Sequence, residues 1–243
     1  MSAHPHDSRT APDDLDPFAV EVIRHGLTAA AEEMSLVVMR SARSPLLRAS
    51  AVRAVGHALH TTRDGWEALW PDGRPDDAPL WLAAALYQAT LAELPVSGVG
   101  AARRRGRAFA RQALREDYPR PALLGATLLF CGGRPDEVHD MLWRLSAEGS
   151  ARGMAPVERF AATLLVHRMT APKSAARKAW DAQLKQLVLR TQEHDDAESG
   201  HWTPQTSDER RLGRTGLAAV RTLTLELYYG YSRVVRVETR RDR

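Results

Sequence analysis

The sequence predicts an all-α fold built from antiparallel helix pairs, and three observations carry that expectation. Apolar residues recur every three or four positions over most of the chain, the spacing of one helix face. Gly and Pro gather in short breaks between those runs. Ala, Leu and Arg are abundant while aromatic residues make up only 6% of the chain, a balance that favours helix by intrinsic propensity. With 243 residues, 44% apolar and 26% charged, the chain is long enough to bury a sizeable core and has an ordinary globular composition.

Residues 1–15 are polar, hold Pro and Asp, and read as a disordered tail. A helical segment is expected over 16–60. Asp16 supplies an N-cap and Pro17 the first helical position; Phe18, Val22, Ile23, Leu27, Met34 and Val38 then follow at helical spacing, until Ser44-Pro45 ends the run. "LLRASAVRAVGHALH" reads as a second, shorter helix. Residues 61–79, "TTRDGWEALWPDGRPDDAP", break the pattern with two Asp-Gly turns and form a linker or a short hairpin around Trp66 and Trp70.

A helical-repeat domain is expected over 80–230, with helices near 80–94, 100–116, 121–131, 136–147, 155–169, 173–191 and 211–229; residues 231–243 form a basic tail. Gly-Arg-Pro-Asp precedes a helix at 73–76 and again at 133–136. In both places Asp can cap the helix while Pro fixes its first turn. Together with the paired rhythm of the helices, this echo favours a repeat architecture.

Composition removes several function classes. The single cysteine, Cys131, can form neither an internal disulfide nor a cysteine-based zinc site. The first residues lack the apolar core of a signal peptide. No stretch approaches the roughly 18 consecutive apolar residues of a membrane span, so the default location is the cytoplasm. Net charge is +4 and Arg far outnumbers Lys, which permits an anionic partner without demanding one. There is no nucleophile elbow, phosphate-cradling glycine loop or paired-histidine zinc motif, and Gly98-Val99-Gly100 is too short for a dinucleotide fingerprint.

Two resemblances stand on particular residues. In the C-terminal part, about 155–230, "AWDAQLKQLVLRTQ" ends at Gln192, a loop follows, and Gly200-His201-Trp202 precedes the run "LAAVRTLTLELYYGY". That order resembles the Gln…Gly-x-Trp repeats of the terpenoid cyclase and protein prenyltransferase α/α toroids, proteins that also have bacterial members of unassigned role. The resemblance implies an incomplete α/α toroid, with Gln192, Gly200 and Trp202 forming a structural corner in which Gln bonds to a helix end and Trp stacks across the turn. The acidic Asp-x-Asp-Asp tetrad of the protonating cyclases is absent, and Cys131 lacks the surroundings of the prenyltransferase zinc ligand. At the other end, residues 16–48 resemble the N-terminal helix of the hydantoinase B/oxoprolinase family through Asp16-Pro17, Glu21-Val22-Ile23-Arg24, Glu32-Glu33-Met34 and Ser44-Pro45. The chain departs from that family at "ASAVRAVGHALH", so its metal site and amidohydrolase chemistry do not carry over. The two resemblances imply different folds.

Several clusters are candidates for chemistry. His194, Asp195, Asp196, Glu198 and His201 form the densest set of metal-capable groups. Zinc needs converging donors on rigid supports, so a solvated acidic loop is the first reading and a metal site the alternative. His57 and His60 are three apart, near Asp64; they could bind metal or shuttle protons, but read first as edge and exposed residues. His139 between Asp136 and Asp140 suits a helix's first turn. His167, in an apolar run, reads as a buried or edge histidine with its hydrogen bond satisfied. Arg104, Arg107, Arg111 and Arg115 line one helical stripe that could follow phosphates, against the plainer reading of a solvated outer face. The six tryptophans could line a central cleft or fill the core.

The expected function is a non-catalytic helical-repeat module whose apolar concave face binds a protein, a peptide or an apolar ligand. The first alternative is a divergent enzyme related to terpenoid cyclases or to hydantoinase B-type amidohydrolases. The second is a weak nucleic-acid binder acting through the Arg stripe. Neither a cofactor nor an oligomeric state can be read from the residues.

Overall fold

A computed structural model describes residues 77–91, 93–116, 118, 120–139, 151–193 and 202–229, together with Val52, Val55, Gly56, Leu59, His60 and Trp66. Six α-helices organise it: α1 (Ala78–Leu91), α2 (Val99–Arg115), α3 (Pro121–Phe130), α4 (Pro156–Met169), α5 (Ala175–Leu187) and α6 (Ser207–Tyr229). No strand occurs among the described residues. The class is all-α.

Three of the helices are apolar around most of their circumference. In α1 every residue from Pro79 to Ala89 is buried, and in α3 so is every residue from Ala122 to Phe130. α4 is buried from Val157 to Val166 except at Glu158. A helix without a polar face has to be enclosed by others. α1 and α4 both pack on α3, and the Trp81 and Phe160 rings stack 5.5 Å apart to join α1 to α4 directly. α2 covers α1 and α3 with a strip of small residues, Ala102, Gly106, Ala110 and Ala113. α5 and α6 both pack on α4.

Contacts at the helix ends give the directions. Arg103, early in α2, reaches Thr90 near the end of α1 and Phe130 at the end of α3. α1 and α3 therefore run in parallel, and α2 runs against both. Arg120, just before α3, lies beside Asp208 in the first turn of α6. His167, late in α4, meets Leu227, late in α6. Arg177, early in α5, bonds to the His167 carbonyl at the end of α4. Thus α1, α3, α4 and α6 form one parallel row, each touching the next, with α2 and α5 antiparallel to it.

The helix ends explain where the expected boundaries move. α1 and α3 close with the same two hydrogen bonds: Leu94 N–H to Ala89 O and Glu93 N–H to Thr90 O in one, Gly133 N–H to Leu128 O and Gly132 N–H to Leu129 O in the other. This is the Schellman arrangement, which needs a left-handed residue after the helix; Glu93 (φ 49°) and Gly132 (φ 83°) supply it. The expected helix over 173–191 breaks at Val188 into a 3-10 turn, Leu189–Thr191. At 133–136 the Asp is not the cap. Arg134 holds the cap position, its N–H donates to the Glu137 carboxylate, and Asp136 instead pairs with the Arg134 guanidinium. A glutamate three residues on reaches the free N–H of the cap residue, which Asp136 is too close to do.

α6 starts at Ser207, four residues before the expected start at 211. The signal is a capping box, Thr206-Ser207-Asp208-Glu209. Thr206 Oγ1 accepts from Glu209 N–H, and Glu209 Oε2 accepts from Thr206 N–H. The helix is interrupted at Gly213, where φ 67° and ψ 175° belong to a region open essentially to glycine alone.

Candidate functional site

The polar side chains worth testing for function collect in three places. The first is the face of α2 next to the ends of α1 and α3. Arg103 donates from Nε and Nη2 to Phe130 O (3.2 and 3.0 Å) and from Nη1 to Thr90 Oγ1 (3.1 Å), with its guanidinium 5.4 Å from the centre of the Tyr87 ring. Arg107 donates to Gly132 O. These carbonyls lie at the negative end of α3, where a cation is favoured. Arg111 grips both oxygens of Glu137. That hydrogen bond, opposed by burial and aided by Arg134, lowers the Glu137 carboxyl to about 2. Arg104 and Arg115 are exposed. Of the predicted stripe, then, Arg107 and Arg111 are engaged within the chain, and Arg104 and Arg115 face outward.

Cys131 sits under this face, 5% exposed. A Cβ placed on Gly106 would lie 2.7 Å from its sulfur and 2.5 Å from the Trp66 ring. Burial pushes the thiol up to about 12, although Arg103 and Arg107 pull the other way. A thiol in that state supplies no nucleophile at neutral pH.

The second place is the junction of α4, α5 and α6. The His167 ring is 6% exposed. Its Nε2 lies 2.8 Å from Asp181 Oδ1 on α5, and its Nδ1 lies 2.8 Å from Leu227 O on α6. Asp181 also pairs with Arg177. Burial lowers the proton affinity of His167 and Arg177 adds to this; the Asp181 hydrogen bond and the Leu227 carbonyl oppose it, and burial prevails. Asp181 meets Nε2 rather than the Nδ1 of the usual catalytic Asp-His couple, and both ring nitrogens face an acceptor. A general base needs one nitrogen within reach of a substrate proton. Both partners are acceptors, so the neutral ring donates to only one of them at a time; the side chain bridges three helices, in line with the buried or edge histidine that its sequence context suggests.

The third place is the turn between α5 and α6. Trp202 is 3% exposed, and its Nε1 donates to Val188 O, the carbonyl at the end of α5 (2.9 Å). Arg221 lies 5.7 Å from the centre of that ring. It donates to Thr191 Oγ1 and to Glu209 Oε1. Burial acts to raise the Glu209 carboxyl, but the Gln205 and Thr206 N–H groups and Arg221 outweigh it and leave it below the ordinary carboxylate value. Nearby, Arg159 holds the carbonyls of Ala151 and Met154. On the same helix, burial and the Asp208 charge raise the Glu158 carboxyl against Arg120 and Arg159.

The corner read from the sequence joined Gln192, Gly200 and Trp202. The structure places Trp202 at the end of α5, with its indole N–H, rather than only its ring, bonded to the helix terminus. Gln192 follows the 3-10 turn and bonds through its N–H to Leu189 O. Gly200 lies outside the described residues, as do His194, Asp195, Asp196, Glu198 and His201 of the proposed metal cluster. His57, Asp64, Asp140 and the whole of 16–48 also lie outside them, whereas His60 and His139 are exposed. Among the described residues no group of three His, Cys, Asp or Glu could hold a metal ion, and no helix is long and apolar enough to cross a membrane.

Trp66, Trp81, Trp180 and Trp202 are all buried. Trp66 stacks on Phe109 and Trp180 bonds to Thr163 Oγ1. These four belong to the core and its corners. Sequence reasoning missed Asp181, Glu209 and Arg221. Glu209 carried a local signal in its capping box, but the partners of His167 and Arg221 are brought in from other helices or from across a bend. No family model matches the chain, and neither a curated protein nor a solved structure matches it.

Proposed function

We propose that this chain is a non-catalytic helical-repeat scaffold that works by presenting surfaces to a partner. The observation that carries the reading is the parallel row α1, α3, α4 and α6 with α2 and α5 set antiparallel to it. Stacked helix pairs make an extended surface in which each unit depends on its neighbours for a core. The fate of the reactive groups supports the same reading: His167, Cys131, Glu209 and Arg221 are buried and serve as packing or ties between helix ends. A partner would meet the polar outer faces, since the apolar side chains of α1, α3 and α4 are consumed by the core. Closure into a partial α/α toroid is compatible with the row and is part of the proposal.

Native mass spectrometry of the purified full-length protein tests the reading. The scaffold proposal expects the unliganded mass. A stoichiometric metal or a lipid-sized adduct that survives desalting would move the protein to the enzyme class.

A further inference from the structure

α2 carries six arginines and no acidic residue from Val99 to Arg115. Three of them, Arg103, Arg107 and Arg111, are committed within the chain. Arg104, Arg105 and Arg115 are exposed and make no hydrogen bond or ion pair among the described residues. Arg104, Ala108, Arg111 and Arg115 follow one line along the helix, since residues three and four apart lie on the same face. The line is held rigidly from below: Gly106 is in close contact with Trp66, and Arg103 ties α2 to the ends of α1 and α3.

The chain itself shows what this line recognises. Arg111, between the two free arginines, holds both oxygens of a carboxylate, that of Glu137. Arg104 and Arg115 present the same planar fork, suited to paired hydrogen bonds with a carboxylate, with no acid paired to them among the described residues. Ala108 between them lets a backbone come close. We propose that this face of α2 docks an acidic protein segment, whose carboxylates extend the Arg111–Glu137 pair to Arg104 and Arg115. The inference rests on the scaffold reading and names its partner class. A nucleic acid fits less well: half of the helix's arginines are already used within the chain, and Phe109, its only aromatic residue, is half-buried against Trp66 rather than open to bases.

The test uses the full-length protein and poly-L-glutamate in titrations at about 150 mM salt, where distant charges are largely screened, with a thymidine oligonucleotide as competitor. One variant is R104E/R115E. The control is K178E/K185E on α5, which changes net charge equally on residues that are exposed and unpaired among the described residues. Saturable binding that R104E/R115E weakens by about tenfold or more, while the control loses less than about twofold, supports the proposal. An equal loss in both variants, or no saturable binding, overturns it. Preference for the oligonucleotide overturns it in favour of a phosphate-bearing partner. Unchanged melting of R104E/R115E separates a docking defect from a folding defect. Failure of the scaffold reading would show separately, as a retained metal or adduct by mass spectrometry.

Discussion

Glu209 and Arg221 lie twelve residues apart on α6, and their side chains bond directly. In a straight helix that separation is about 18 Å along the axis, beyond the combined reach of the two side chains. The bend at Gly213 closes the distance. The pair then sits 7% exposed on both sides, beside Trp202 and the end of α5. A backbone bend, a capping box and a buried ion pair thus form one unit.

Gly213→Ala tests the bend. Nothing lies within 4 Å of an added Cβ there, so the substitution introduces no clash, only a residue in a backbone region it avoids. The expected loss is about 1–3 kcal/mol, measured by urea unfolding. A loss near zero would mean that this backbone conformation is not the one the folded chain adopts.

Removing one partner of a buried ion pair costs more than removing both, because a charge is left without its counter-charge. Glu209→Gln should destabilise by about 3–5 kcal/mol, and the double variant Glu209→Gln/Arg221→Met by less than the sum of the single effects. Additive losses in that double-mutant cycle would show that the two side chains do not interact.

Trp202→Ala should cost about 3–5 kcal/mol, the ordinary penalty for emptying a large buried aromatic site. Trp202→Phe separates the indole hydrogen bond from the ring. It keeps most of the volume but strips Val188 O of its donor, and should cost about 1–3 kcal/mol. A loss near zero for Trp202→Phe would argue against the bond to the helix end.

His167 makes stability depend on pH. Its folded-state pKa lies below the unfolded value of 6.5 because burial disfavours the imidazolium. The folded chain therefore binds fewer protons than the unfolded chain in that range. The stability linked to this group is fully present above pH 6.5 and is lost as pH falls from there through the lower folded value. His167→Gln should lower the melting temperature at pH 7.5 and flatten its decline towards pH 5.5. The same decline in the variant would assign the acid sensitivity to other groups.

The last relationship is between α2 and the core below it. Gly106→Ala would drive a methyl group into the Trp66 ring and Cys131. Overpacking of this kind costs about 1–3 kcal/mol, visible as a lower midpoint of unfolding with an unchanged slope. An unchanged midpoint would mean that Trp66 and Cys131 can move aside.

The sequence by itself determined the helical class and most of the helix boundaries. Those properties are local. Apolar spacing identifies the faces of α2 and α5, Pro121 and Pro156 fix first turns, and Gly132 closes α3; the capping box of Thr206 and Glu209, equally local, starts α6 ahead of the expected 211. Tertiary structure decided what the polar residues do. His167 finds Asp181 and Leu227 on two other helices, Trp202 meets Val188 across the turn, and Arg107 and Arg111 turn from an apparent phosphate stripe to the end of α3 and Glu137. The physical reason is that a helix's own hydrogen bonds close within four residues, whereas a charged side chain takes its partner from whatever the packing of apolar faces places beside it.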